Sequence, residues 1–294
     1  MTIALGAIAE GLLWTFMAVG IFISFRILKR PDLTSEGSFP LGAAVASILI
    51  VNGVNPFLAT LGAFLAGALA GFVTGLLMTK LQIPGLLAGI LVMTALYSIN
   101  LRIMGKSNLS LINAPRLTTF LSDYIDLPPF YNTIIIALII LAVIIFLVSH
   151  FFKTEYGQSI IATGDNEHMA RSMGINTDTM KIIGLSLANG LVGLSGGLIS
   201  QFNGYADISM GIGTLVIGLA GILIAETFIP NLNMSMRYVS LPIGAIAYRL
   251  IIALVLAFGM QPNDLKVISA VVLGVLIAMP NLLNSRTEPF SARK

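Results

Sequence analysis

No cysteine occurs among the 294 residues, so neither a disulfide framework nor a thiolate metal site is available. Histidine is nearly absent too, and His150 and His168 alone offer little for a metal centre. Charge is scarce: Asp, Glu, Lys and Arg make up 10% of the chain, against about 25% in soluble domains. No Gly-x-x-x-x-Gly-Lys-Ser/Thr stretch is present, so the chain carries no phosphate-binding loop of its own. The first residues, MTIALGAIAEGLLW, lack a basic n-region and include Glu10. They read as the start of a spanning helix, not a cleaved signal peptide.

What fills the chain instead is hydrophobic sequence, 56% of it, arranged in long runs. A spanning helix needs about 20 mostly apolar residues. About nine stretches qualify, at 3–28, 38–54, 56–79, 83–103, 132–152, 181–203, 208–229, 238–259 and 265–283. The expectation is an all-α, polytopic membrane protein forming one domain over 1–294. The second span is short and has Pro40 near its start, so it is expected to be broken or re-entrant. Small residues at spacing four, Gly67–Gly71–Gly75 and Gly193–Gly197, predict close helix packing.

Nine spans put the two ends on opposite sides of the membrane. Arg26, Lys29, Arg30, Lys80, Lys153, Arg171 and Lys181 fall on one side, and Arg102, Lys106, Arg116 and Lys266 on the other. Basic residues favour the cytoplasmic side. The reading is therefore N-terminus outside and C-terminus cytoplasmic. The polar island at about 153–181 faces the cytoplasm, and the loop at about 104–131 faces out.

In that island, Asp165 is a candidate helix cap, Asn166–Met173 a helix of two turns, and Gly174 its left-handed terminus. Met169 and Met173 share one face, with His168 and Ala170 beside them, and Glu167 can pair with Arg171. A helix this short is marginal alone and must dock on something. That is either its own protein or a soluble partner.

The stretch YGQSIIATGDNEHMARSMGINTDTMKIIGLSLANGLVGLSGGL resembles the coupling-helix region of ABC importer permeases for branched-chain amino acids and simple sugars. The matching positions are Tyr156, Gly157, Asn166, Glu167, Ala170, Gly174 and Ile175. DLTSEGSFPLGAAVA, from Asp32 to Ala46, is similar to the tryptophan/tyrosine-type permease subgroup. The resemblance covers about residues 8 to 283. It implies a translocation subunit for a small solute, an aromatic amino acid first. It implies a location in the bacterial cell (inner) membrane among lipid, with no nucleic-acid partner. The implied protein partners are a separate ATPase holding ATP and Mg, an extracellular substrate-binding lipoprotein docking near the 104–131 loop, and a second permease copy in a homodimer. The chain itself would bind no cofactor. Asp165, Asn166, Glu167, His168, Met169, Ala170, Arg171, Met173 and Gly174 would then form the ATPase-coupling helix.

Polar groups inside spans are candidates for the path. These are Asn52, Asn55, Asn189 and Gln201, with Tyr97 and Asn100 at the outer end of the fourth span. Two deeper charges, Glu226 and Arg249, are expected to pair with each other. Gly193-Leu194-Ser195-Gly196-Gly197 matches a nucleophile elbow, but both histidines lie at the other end of the chain's spans. The alternative to an importer subunit is a secondary transporter or channel without an ATPase, which usually carries more intramembrane carboxylates.

Overall fold

The computed structural model describes residues 2–112, 114–117, 129–229, 234–257 and 265–284. The chain folds as α1 (Thr2–Ile21), α2 (Thr34–Val51), α3 (Pro56–Thr79), α4 (Gly85–Met104), β1 (Asn108–Ser110), α5 (Pro129–Phe151), α6 (Glu155–Asp165), α7 (Glu167–Ser172), α8 (Thr177–Asn203), β2 (Tyr205–Asp207), α9 (Thr214–Phe228), α10 (Met234–Ala257) and α11 (Leu265–Asn284). Among the described residues, eight helices are long and apolar enough to cross a membrane. The ninth expected span, 265–283, is the 20-residue helix α11.

α1, α2 and α8 form the buried centre, while α3, α4 and α5 present apolar faces outward. Small residues set how closely the helices approach. A Cβ on Gly67 would fall on the Asn189 carbonyl oxygen, one on Gly71 on that of Leu185, and one on Gly75 within 2.8 Å of Ile182 Cα. The ladder of α3 thus lies antiparallel against the α8 backbone, as expected for association by van der Waals packing in lipid. Ser195 donates to the Leu13 carbonyl at 2.8 Å and is wholly buried. Its neighbour Gly196 lies against the Phe39 carbonyl, so the nucleophile-elbow pattern is helix packing.

Three expectations are corrected or refined. α2 is not broken: it runs unbroken through Pro40 and begins four residues earlier than 38. Pro40 sits in its second turn, where it removes the bond that an N–H would make to the Glu36 carbonyl but does not end the helix. The expected span at 208–229 is present as Ile208–Phe228, but not as one continuous α-helix. A 3-10 turn, Ile208–Gly211, precedes α9, and Gly213 takes φ +84 between them. The turn forms where Gly211 is pressed against the Glu36 carbonyl and Pro40 of α2. Finally, Glu226 and Arg249 do not meet. Glu226 pairs with Arg26 and Arg249 with Glu10.

The 104–131 connection also holds structure that hydropathy does not show. β1 pairs antiparallel with β2, Asn108 opposite Asp207 and Ser110 opposite Tyr205. Residues 118–128 of the 104–131 loop, and the basic tail Arg286, Arg293 and Lys294, lie outside the described residues.

Candidate functional site at the α6–α7 elbow

Thr154 starts α6 by accepting from the Gly157 N–H at 3.4 Å. An 11-residue amphipathic helix follows that the polar composition of the island had concealed. α6 stays against the bundle because Gly164 packs directly on the Ile27 carbonyl, and Ile160 is fully buried. The expected cap moves by one residue. Asn166 takes extended backbone (φ −153, ψ 101), and its Oδ1 accepts from Met169 N–H at 3.0 Å. Asp165 is still helical, as the last residue of α6, and its carboxylate binds Lys29 at 2.8 Å. A capping residue must leave helical backbone, and only Asn166 does so here.

α7 spans Glu167–Ser172 and ends at Gly174, whose φ of +83 closes the turn. The N–H of Ile175 reaches back to the Ala170 carbonyl at 3.1 Å, a Schellman closure. Ala170 faces inward and is buried. Met169 and Met173 face away from the bundle and are 59% and 68% exposed, which leaves the tip uncovered by the described residues. His168 lies beside them, also exposed.

Glu167 anchors this tip. Its Oε1 meets Lys181 Nζ at 2.5 Å and Arg171 Nη2 at 3.1 Å, and its Oε2 meets Arg30 Nη2 at 2.9 Å. Arg171 also binds Asp178 at 2.9 Å and donates from Nε to Thr177 Oγ1 at 2.7 Å. One carboxylate therefore ties α7 to the start of α8 and to the α1–α2 connection. That connection leaves α1 through a π-helical turn, Phe22–Ile27, and reverses at Lys29 with φ +52. Such backbone is uncommon outside glycine. Partial burial works to raise the Glu167 carboxyl, but the Lys181 hydrogen bond and the charges of Lys181, Arg30 and Arg171 outweigh it and hold the group below the usual value of 4.5. A depressed carboxylate stabilises the fold above its ordinary pKa and loses that contribution as pH falls below it. Stability of the elbow to limited proteolysis should therefore drop below about pH 4.5. Glu167→Gln should already be weakened at neutral pH and should lack that transition.

The profile of the family described as "Branched-chain amino acid transport system / permease component" matches residues 3–280. The chain belongs to this family. It is 40% identical over 278 residues to the "Tyrosine transport system permease protein" of Clostridioides difficile (strain R20291), covering 95% of this chain and 91% of the relative. It is 34% identical to an uncharacterized protein of Rickettsia prowazekii (strain Madrid E), over 95% of this chain and 98% of that one. A third relative is the "Probable branched-chain amino acid transport permease protein LivH" of Methanocaldococcus jannaschii, 26% identical over 66% of this chain and 64% of its own length. No solved structure matches the chain. The protein is thus an ABC transport permease, a multi-pass protein of the bacterial cell membrane.

In this permease the polar residues singled out for the path take the following positions. Asn52 ends α2, and Asn55 caps α3 by accepting from Phe57 N–H at 2.9 Å, both in an exposed turn. Asn189 is buried at the centre. Its amide nitrogen donates to Asp32 Oδ2 at 2.6 Å and to the Leu185 carbonyl at 3.1 Å, and its Oδ1 accepts from Ser38 at 2.9 Å. Gln201 ties α8 to α3 and to the 104–131 connection through Thr60 Oγ1 and Leu117 N–H, each at 2.9 Å. Asp32, the buried carboxylate that Asn189 serves, escaped the hydropathy reading because it falls between two spans.

Glu10 and Arg249 meet at 3.1 Å, and the guanidinium carbon lies 4.2 Å from the Trp14 ring centroid. The pair is half-buried, and removing one member strands the other, at up to about 3–5 kcal/mol when burial is complete. Arg249→Leu should therefore lower thermal stability in detergent sharply. Glu10→Leu combined with Arg249→Leu should recover most of it, since apolar replacement of both charges is near neutral. A double variant as unstable as Arg249→Leu alone would contradict a mutual pairing.

Proposed function

We propose that the permease is the translocation subunit of an importer driven by a separate ATPase, and that α7 is where this engine docks. The observation that carries the reading is the exposed Met169–Met173 tip on a helix whose root is clamped by Glu167. Apolar side chains on a polar, charge-anchored turn are the composition of an interface core with a charged rim. A push on α7 would reach α8 through Lys181 and Asp178, and α2 through Arg30 and the Asn189–Asp32 bond. Clustering of Arg26, Lys29, Arg30, Arg171 and Lys181 at the elbow end supports a cytoplasmic location for that end.

The cargo is a small solute, an amino acid, with tyrosine the first candidate because a 40% identical relative is named for tyrosine transport. A substrate-binding lipoprotein delivers it to the opposite face, and a second copy of the permease completes the path. ATP and Mg belong to the ATPase. Reconstitution in proteoliposomes tests the reading: the permease co-purifies with an ATPase, and tyrosine uptake requires ATP hydrolysis and the binding protein. Uptake by the permease alone on an ion gradient would overturn it in favour of a secondary carrier.

A further inference from the structure

α3 and α5 present ordinary lipid-facing surfaces. α3 exposes Leu61, Leu65 and Leu69, and α5 exposes Ile135, Leu138 and Ile139; between its ends neither helix exposes a polar side chain. α4 differs. In the middle and second half of this 20-residue helix it exposes Thr94, Tyr97 and Ser98, with Tyr97 59% exposed. Thr94 Oγ1 donates back to the Ile90 carbonyl at 2.8 Å, a bond that a hydroxyl can make even in lipid. Tyr97 and Ser98 make no hydrogen bond to a described residue. Hydrocarbon offers such groups no partner, so polar side chains at this depth face water or protein.

The same face of α4 opens on a cavity of about 380 Å³, lined by Thr94, Tyr97 and Asn100 together with Pro40 and Glu36 of α2 and Ile212. The volume falls within the roughly 300–1,000 Å³ of small-molecule sites. Its charge is already engaged: Glu36 Oε1 accepts the Gly213 N–H at 3.1 Å, at the start of α9. The described lining carries no cationic side chain. Asn100 is fully buried, and its Nδ2 donates to the Gly37 carbonyl at 3.3 Å. That bond fixes the amide, because the reverse orientation would oppose two acceptors. Asn100 Oδ1 is then the one buried side-chain atom of the lining left without a partner among the described residues. Native structures rarely leave such an atom unmet without a reason. An aromatic ring, apolar surface and one open acceptor suit an uncharged group that carries a hydroxyl.

We propose that this face of α4 lines the solute path, and that the cavity holds the aromatic end of the transported amino acid, its hydroxyl donating to Asn100 Oδ1. Tyr97 and Pro40 cover the ring, while the charged end of the solute stays in the water along Thr94 and Ser98. The assignment rests on the permease reading above and names the wall and the acceptor that this permease uses.

The lack of cysteine makes the face testable. Thr94→Cys and Ser98→Cys replace exposed side chains with groups of similar size, and Leu138→Cys is the lipid-facing control. Each variant is assembled with the ATPase in nanodiscs, treated with a charged methanethiosulfonate, and read by the mass of the permease chain. Thr94→Cys and Ser98→Cys should be modified at least tenfold faster than Leu138→Cys. Tyrosine should slow modification of Thr94→Cys at about tenfold lower concentration than phenylalanine, which lacks the hydroxyl, the worth of one buried hydrogen bond. Asn100→Leu in the same background should erase that preference. Thiols that react only with a lipid-soluble maleimide would place this face in the bilayer and overturn the proposal. So would thiols inert to both reagents that oxidise to a cross-link between two copies, which would make the face a dry subunit contact. Equal protection by tyrosine and phenylalanine in the Asn100 protein would overturn the role of Oδ1. Absence of ATP-driven uptake by the wild type would instead contradict the permease reading, a result independent of thiol modification.

Discussion

Replacing Met169 and Met173 together with aspartate should abolish ATP-driven uptake, by about a hundredfold or more, with the unfolding temperature of the membrane bundle unchanged. Both side chains are well exposed, and neither belongs to the buried core among the described residues. Centrally buried anchors at an interface typically cost about 2–4 kcal/mol each when lost. Two aspartates at the centre of a docking tip also introduce charges that the partner must desolvate. The choice of pair matters. Ala170, the neighbour that the sequence places on the same tip, is buried beneath α7. Aspartate there would break the elbow and confuse docking with folding. The readout is the ratio of ATP hydrolysis to solute uptake. Hydrolysis that persists while uptake stops, or loss of ATPase co-purification, supports docking at α7. Unchanged coupling would remove α7 from the mechanism.

The second large effect is expected at Gly42. A Cβ there would overlap the carbonyl group of Gly193 on α8, which is backbone and cannot rotate away. Overpacking usually costs about 1–3 kcal/mol, and more where nothing can yield. Gly42→Ala should therefore greatly reduce the yield of folded permease in the membrane. Gly274→Ala is the control. Among the described residues, no atom beyond its own helix backbone and chain neighbours lies within 4 Å of where its Cβ would be, and alanine favours a helix over glycine by about 1 kcal/mol. Fluorescence-detected gel filtration should show a monodisperse peak for Gly274→Ala and a collapsed one for Gly42→Ala. Equal peaks would mean that α2 and α8 can separate without loss.

Hydropathy and glycine spacing made the helices legible, because a lipid solvent imposes length and a small-residue seam in ways that one sequence displays. The Gly67–Gly71–Gly75 ladder meets α8 as that spacing requires. The elbow was half legible. Its apolar tip and the Glu167–Arg171 pair followed from helical spacing, but Lys181 and Arg30 join them only through folding. Ion-pair partners were the least legible. Arg26 with Glu226 and Glu10 with Arg249 lie far apart in the chain, and helix order alone did not say which helices touch. Glu36 passed unnoticed because an acidic residue in the first turn of a helix has an ordinary local explanation. Its role as the cap of α9 depends on where another helix begins.

The absence of cysteine makes the central claim directly measurable. Met169→Cys gives the permease one thiol, at the tip of α7, and Leu69→Cys gives one on the exposed apolar face of α3. Short bifunctional maleimide cross-linking in native membranes should join the first variant, and not the second, to the ATPase subunit in a single adduct. A Met169→Cys thiol that forms no adduct and reacts only with lipid-soluble reagents would place α7 in the bilayer and contradict the account.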